Sequence, residues 1–137
     1  MLSLGTRLAA ALEPPAFIAL HGDLGAGKTA LVRGMGAALG EDEVTSPSFT
    51  IVHEYRTRPA LYHFDAYRLA DADELMAIGF ADYLREDALL VMERAELVED
   101  ALPKERLDIT ITGSGAETRY VEIAPVGARY ERMAERI

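Results

Sequence analysis

The sequence predicts an α/β fold: one compact domain over residues 1–137, with a mixed β-sheet flanked by helices. Three observations support this prediction. A glycine-rich segment, residues 22–29, lies between a short apolar run and a helical pattern. A second apolar run, residues 88–92, has the length of a strand that is buried on both faces. Alternating apolar and polar residues near the C-terminus indicate antiparallel strands, so the sheet is expected to combine a parallel core with antiparallel additions.

Composition places the chain among ordinary globular proteins, with 50% hydrophobic and 27% charged residues. No apolar run approaches the ~18 residues of a membrane span, and the N-terminus lacks the layout of a signal peptide. We therefore expect a cytoplasmic protein that does not contact membranes. The absence of cysteine excludes disulfides, thiolate chemistry and Cys/His zinc sites.

The formal net charge is −9. A protein that binds tRNA or DNA by itself usually presents a basic face that releases counterions from the phosphates. This charge favours the opposite arrangement, in which any nucleic acid is held by a partner subunit.

In chain order, leucines at four-residue intervals predict a helix over residues 4–12, ended by Pro14 and Pro15. Residues 17–20 predict the first strand. Residues 30–39 place Leu31 and Met35 on one helical face and predict a helix that closes near Gly40.

Between that strand and that helix, GDLGAGKT fits G-x-x-x-x-G-K-[ST], the phosphate-binding loop or Walker A motif. Its glycines allow positive φ, so that backbone N–H groups can surround a phosphate of ATP, while Lys28 reaches the β and γ phosphates. The Thr29 hydroxyl is suited to Mg²⁺. Only two lysines occur in the chain, and one falls at this position. The residues expected to contact the nucleotide are Asp23, Leu24, Gly25, Ala26, Gly27, Lys28, Thr29 and Ala30.

The segment TSPSFT, residues 45–50, is rich in hydroxyl groups that can meet a phosphate, which makes Thr45 and Ser46 further candidates. The same letters fit a plain turn before a strand equally well. Residues 51–55 and 60–64 predict an antiparallel pair. The second strand presents Asp65 at its end, where side chains face ligands. We interpret His53 and His63 as strand or rim residues and not as metal ligands, because no third ligand is suitably spaced.

Two short helices are predicted over residues 71–79 and 80–86. The buried strand that follows ends in Glu93, a carboxylate placed to hold Mg²⁺ beside the phosphate-binding loop. Residues 107–111 and 121–123 predict an antiparallel hairpin, and residues 127–137 a terminal helix. Arginines 129, 132 and 136 form a basic stripe on that helix, which we expect to be solvated or to contact a partner.

In order and spacing, GDLGAGKT, TSPSF, HFDAYRL and the strand that ends in Glu93 together resemble the TsaE family. Members of this family are the ATPase components of bacterial tRNA threonylcarbamoyladenosine biosynthesis. The resemblance implies a P-loop NTPase fold that binds ATP and Mg²⁺. It also implies TsaB- and TsaD-type partner subunits, which transfer a threonylcarbamoyl group to the adenosine beside the anticodon.

The resemblance also implies roles for individual residues. Lys28 and Thr29 take the phosphate and magnesium roles, and Glu93 takes the acidic metal role. Residues 45–49 match a switch-like loop near the γ phosphate. Asp65 matches an aspartate required for activity, which orients water or links the metal to the switch. The chain departs from the family at Arg94, a position that is usually tryptophan, and at Ser48, which is usually threonine.

Three other classes use similar loops. A small-molecule kinase is the main alternative, although the chain has no arginine-rich lid segment and little room for an acceptor site. A GTPase-like switch is disfavoured because the chain lacks asparagine, so that the guanine-reading pattern N-K-x-D cannot occur. A nucleotide sensor with negligible hydrolysis is the third.

Overall fold

The computed structural model describes residues 1–22, 27–47, 50–113 and 118–137. Six strands form one sheet, in the order β2-β3-β4-β1-β5-β6. The strands are β1 (Ala16–Gly22), β2 (Val52–Tyr55), β3 (Ala60–Asp65), β4 (Ala88–Glu93), β5 (Arg106–Thr112) and β6 (Tyr120–Val126). The helices are α1 (Leu2–Ala11), α2 (Lys28–Ala38), α3 (Ala72–Ala77), α4 (Phe80–Leu84) and α5 (Ala128–Ala134), and two 3₁₀ segments span Ala66–Arg68 and Ala95–Ala101.

The sheet is mixed, which confirms the predicted combination. Strands β3, β4, β1 and β5 run parallel, whereas β2 and β6 pair antiparallel at the two edges. The carboxyl ends of the four parallel strands therefore meet at one edge of the sheet. In sheets of this kind ligands bind at that edge.

Apolar side chains cover both faces of the central strands. In β1, Ile18 and Leu20 belong to one core cluster, whereas Phe17 and Ala19 belong to the other. All six residues of β4 are buried. The continuous apolar runs of these two strands thus reflect burial on both faces, as expected for a parallel core.

Helices cover the two faces in separate groups. Apolar residues of α1, α2 and α5, including Leu8, Met35 and Tyr130, pack on one face. Those of α3, α4 and the second 3₁₀ segment pack on the other, where Phe80 makes edge-to-face contacts with Phe17 and Phe64. The result is a three-layer α/β/α arrangement that holds the carboxyl edge of the sheet open.

Helices α1 and α2 are in close contact at two glycines, Gly5 and Gly34. A Cβ added to Gly5 would lie 2.1 Å from the Leu31 carbonyl oxygen, and one added to Gly34 would lie 2.2 Å from the Leu2 carbonyl oxygen. Both obstacles are backbone atoms, which cannot move aside as a flexible side chain can. Helix α1 therefore braces the helix that follows the phosphate-binding segment.

Gly5→Ala is expected to destabilise the fold by about 3 kcal/mol, because the added methyl group forces the two helices apart. Urea denaturation measures the loss. Ser3→Ala, at an exposed position of the same helix, is the matched control and should change stability by less than about 0.5 kcal/mol. A Gly5→Ala protein as stable as this control would contradict the close helix contact.

Helix α5 is tied to the start of β1. The Tyr130 hydroxyl accepts the Phe17 N–H at 2.9 Å. Arg129 donates to the Pro15 carbonyl oxygen at 2.6 Å and Arg136 to the Glu13 carboxylate at 3.2 Å. Two arginines of the basic stripe therefore contact the segment before β1, while Arg136 remains 53% exposed, which agrees with a solvated stripe.

None of the helices in the described part of the chain combines the length and the apolar character that crossing a membrane requires.

Candidate functional site

A cavity opens at the carboxyl edge of the sheet, where β3 and β4 end and α2 begins. Both carboxylates predicted for the site, Asp65 and Glu93, reach it from neighbouring strand ends. The described residues that line the cavity are Gly27, Lys28, Thr29, Ala30, Ser46, Asp65, Glu93 and Arg94.

Two glycines of the segment 22–29 have backbone conformations that favour glycine. Gly22 has φ 144° and Gly27 has φ 109°. A Cβ on Gly22 would also lie 2.3 Å from the Ile111 carbonyl oxygen, so the strand end leaves no room for a side chain. The four residues between them, Asp23, Leu24, Gly25 and Ala26, lie outside the described residues, and their predicted contacts with the nucleotide stay predictions.

The Lys28 side chain is hydrogen-bonded to the end of β1, the strand that precedes it. Its side chain is 7% exposed, and Nζ donates to the Gly22 carbonyl oxygen at 2.6 Å. An ammonium group has three N–H donors. This is the one hydrogen bond that the described residues provide to the Lys28 ammonium. Its other N–H donors are therefore available to an anion in the cavity.

The first turn of α2 supplies Lys28, Thr29 and Ala30 to the cavity wall. Its backbone N–H groups lack helical partners, and the helix dipole makes this end positive. No acidic residue lies in the first turn to compensate that charge. A phosphate at this end of the helix would therefore meet both free donors and a favourable field.

Asp65 lies directly opposite Glu93, because the two residues are paired in the parallel register of β3 and β4. One Asp65 oxygen, Oδ1, accepts the Tyr67 N–H at 2.9 Å, which fixes the carboxylate at the start of a 3₁₀ turn. Burial raises the pKa of the Asp65 carboxyl, and the charge of Glu93 adds to the rise, while the Tyr67 N–H and Arg94 oppose it. A raised pKa makes a carboxylate a better proton acceptor.

Glu93 is held by a histidine from the neighbouring strand. His63 Nε2 and Glu93 Oε2 are 2.5 Å apart, and both side chains are buried. Glu93 also lines the cavity. His63 thus lies in strand β3, as the sequence predicted, and is a buried hydrogen-bond partner of Glu93.

Arg94 follows Glu93 and also lines the cavity. Its backbone is left-handed, with φ 56° and ψ 38°, which is uncommon for a residue with a side chain. The guanidinium carbon is 4.8 Å from the centre of the Tyr67 ring, and Nε is 3.8 Å from Asp65 Oδ1. That distance permits an ion pair but is too long for a hydrogen bond.

Of the two hydroxyl residues proposed from the 45–50 segment, the structure brings Ser46 to the cavity. Thr45 is instead fastened to β2, because its N–H donates to the Tyr55 hydroxyl at 3.1 Å and its carbonyl oxygen is 3.1 Å from His53 Nδ1. It is absent from the described lining of the cavity. Ser48 and Phe49 lie outside the described residues.

The sequence indicated no function for His63, and Arg94 was notable only as a departure from the family pattern. A signal for His63 was present: it lies two residues before Asp65 in a strand, so both side chains face the same side of the sheet. Arg94 gave no comparable signal, since the direction of its side chain depends on the left-handed backbone that follows β4.

Comparisons with known proteins show the family to which the chain belongs. The family model described as "Threonylcarbamoyl adenosine biosynthesis protein TsaE" matches residues 1–121. The chain is 40% identical over 131 residues to the tRNA threonylcarbamoyladenosine biosynthesis protein TsaE of Bacillus subtilis, covering 94% of this chain and 82% of that protein.

The chain belongs to the TsaE family.

Another TsaE protein, from Haemophilus influenzae, is 40% identical over 118 residues, which cover 81% of this chain and 75% of that protein. The crystal structure of Bacillus subtilis YdiB superposes with a TM-score of 0.82 at 36% identity, over 98% of this chain and 84% of that one. The family and the likeness in structure confirm the P-loop α/β fold. Within this TsaE-family fold, Lys28, Thr29, Asp65 and Glu93 meet at one cavity, as the motifs predicted.

Proposed function

We propose that this chain is the ATP-binding and ATP-hydrolysing subunit of tRNA threonylcarbamoyladenosine biosynthesis. It acts with TsaB- and TsaD-type subunits, which transfer the threonylcarbamoyl group to the adenosine next to the anticodon. The observation that carries the proposal is the convergence of Lys28, Thr29, Asp65 and Glu93 on one cavity in a member of the TsaE family.

ATP would bind with its phosphates at the first turn of α2. The backbone N–H groups of that turn and the ammonium of Lys28 supply donors for the β and γ phosphates. Among the described residues, the first turn of α2 contains no acidic side chain, and Lys28 makes one hydrogen bond, to the Gly22 carbonyl oxygen. The bound triphosphate would accept hydrogen bonds from both.

The donor set fits Mg²⁺, because the Thr29 hydroxyl and the Glu93 carboxylate are oxygen ligands that line the same cavity. The described residues contain no group of three or more histidines and carboxylates arranged to hold a metal ion. Mg²⁺ suits such a sparse site, since it commonly takes one or two protein oxygens together with phosphate and water. When bound, the metal ion would neutralise charge on the phosphates.

Asp65 would orient and deprotonate the attacking water. Its carboxylate lines the cavity, is held at Oδ1 by the Tyr67 N–H, and has a raised pKa through burial. The second oxygen, Oδ2, remains to accept a hydrogen bond from water. His63 would keep the Glu93 carboxylate facing the metal position while the water is bound.

Asp65→Asn is expected to leave ATP affinity within about threefold but to reduce hydrolysis by about 100-fold or more, because an amide cannot accept the proton of the water. Calorimetric titration and single-turnover hydrolysis separate the two effects. Asp73→Asn, at an exposed position of α3, is the control. Equal loss of binding and hydrolysis would show that Asp65 instead holds the nucleotide.

The experiment that tests the whole proposal is ATP turnover by the purified chain, alone and with TsaB- and TsaD-type subunits and tRNA. We expect slow turnover alone and strong stimulation by the partners. The chain alone should bind tRNA weakly, because its net charge is −9. Turnover that is independent of the partners and transfers phosphate to a small hydroxyl compound would favour the kinase alternative.

A further inference from the structure

We infer that Arg94 binds the terminal phosphate of ATP, so that the cavity distinguishes ATP from ADP through a guanidinium contributed by this chain itself. The inference rests on the proposed function, since it assigns a residue to the nucleotide of that same site. Four observations on Arg94 lead to it.

The first observation is that Nε of the Arg94 guanidinium is buried and lacks a hydrogen bond to any of the described residues. Its neighbours are the ring of Tyr67, which is 63% exposed, and the Asp65 carboxylate at 3.8 Å. A guanidinium carries five N–H donors in a planar fork that suits phosphate. Arg94 therefore has donors to offer a ligand in the cavity.

The second observation concerns charge. Among the described residues that line the cavity, Lys28 and Arg94 are positive, and Asp65 and Glu93 are negative. The two positive charges cancel the two negative charges. Without Arg94 the lining would carry a net negative charge, which opposes the entry of a triphosphate. Arg94 thus balances one of the carboxylates that the hydrolytic role requires.

The third observation is position. Asp65 must reach the terminal phosphate if it orients the attacking water, and Arg94 Nε lies 3.8 Å from Asp65 Oδ1. A guanidinium this close to Asp65, on a residue that lines the same cavity, is within reach of that phosphate and of the charge that develops on it. ADP lacks the terminal phosphate and so would not meet Arg94 in this way.

The fourth observation is the left-handed backbone of Arg94, with φ 56°. Residues other than glycine in this conformation are uncommon and concentrate at functional sites. Here the left-handed conformation turns the chain at the end of β4, immediately after Glu93. It allows the Arg94 side chain to line the cavity.

The test compares nucleotide affinities. Wild type, Arg94→Ala, Arg94→Gly and Arg94→Lys are titrated calorimetrically with ADP and with a non-hydrolysable imido analogue of ATP, both with Mg²⁺. Arg94→Gly is included because glycine accepts the left-handed backbone, so that loss of the guanidinium is separated from backbone strain. Arg85→Ala is the matched control, since Arg85 is a highly exposed arginine that pairs with Asp82 away from the cavity.

Arg94→Ala and Arg94→Gly should each weaken the ATP analogue by about 10- to 100-fold while changing ADP affinity by less than about threefold. Hydrolysis by the complete system should fall by about 100-fold or more. Arg94→Lys should lie between, because lysine keeps the charge but loses the planar fork. Arg85→Ala should match wild type in every measurement.

Two results would overturn the inference and leave the proposed function standing. The first is that Arg94→Ala and Arg94→Gly bind the ATP analogue as tightly as wild type does, with an unchanged ratio of analogue affinity to ADP affinity. The other is equal weakening of both nucleotides, which would mean that Arg94 only shapes the cavity. A folded wild-type protein that binds neither nucleotide would overturn the proposed function and this inference with it.

Discussion

Lys28→Met is expected to weaken ATP binding by about 10- to 100-fold and to reduce hydrolysis below detection. Lys28 is 7% exposed and lines the cavity beside the first turn of α2. A charge-assisted contact to phosphate is worth about 1.5–3 kcal/mol, and methionine keeps the apolar stem while removing the charge. Calorimetric titration with ATP and Mg²⁺ measures the loss.

The fold of Lys28→Met should stay close to wild type in stability. The change removes one hydrogen bond to the Gly22 carbonyl oxygen but also removes a buried charge, and these effects oppose each other. The control is Lys104→Met, since Lys104 is the other lysine of the chain and is exposed. A folded Lys28→Met protein with wild-type ATP affinity would argue strongly against a phosphate site in this cavity.

His63→Ala is expected to destabilise the protein by about 3–5 kcal/mol. His63 and Glu93 form a buried pair, with Nε2 and Oε2 2.5 Å apart. Removal of one partner leaves the carboxylate buried without compensation, and this is among the costlier changes a protein can undergo. Urea denaturation at neutral pH measures the free energy of unfolding.

The chain provides a control and a test of mechanism for this variant. His53 faces His63 in the register of β2 and β3 but is only half-buried, so that His53→Ala should cost less than about 1 kcal/mol. In a Glu93→Gln background the cost of His63→Ala should fall by at least about 1 kcal/mol, because no charge is left unpaired. The same large cost in both backgrounds would indicate lost packing and not a lost partner.

Most of the regular elements could be predicted from local pattern alone. The strand that ends in Glu93 was placed from its apolar run, and β2 and β3 were recognised as an antiparallel pair before their register was known. The helix after the phosphate-binding loop was also expected, although it begins at Lys28 and not at Ala30. These signals are local, because side-chain periodicity and glycine content depend on neighbours in sequence.

The lining of the cavity was predictable where a motif combines chemistry with spacing. Lys28, Thr29, Asp65 and Glu93 were all named as candidates, and one cavity contains all four. Thr45 was a candidate on composition alone, and the structure fastens it to β2 through Tyr55 and His53. Composition does not specify which hydroxyl of a loop faces a ligand, because the path of the loop depends on contacts with other elements.

The basic stripe of α5 illustrates the same limit. Helical periodicity correctly placed Tyr130 and Met133 on the buried face. It could not show that Arg129 and Arg136 contact the segment between α1 and β1, since that segment is more than 110 residues away in sequence. Only the packing of α5 against the start of β1 brings these groups together.

The fold class, the glycine-rich motif of residues 22–29 and the two acidic strand ends could be recognised from the sequence alone, because each depends on residue types at short, regular spacing. The tertiary structure alone decided that β3 and β4 are neighbours in parallel register, that His63 supports Glu93, and that Arg94 enters the cavity. The physical reason is that strand order and the direction of a side chain after a left-handed residue depend on contacts between distant segments, which local periodicity does not encode.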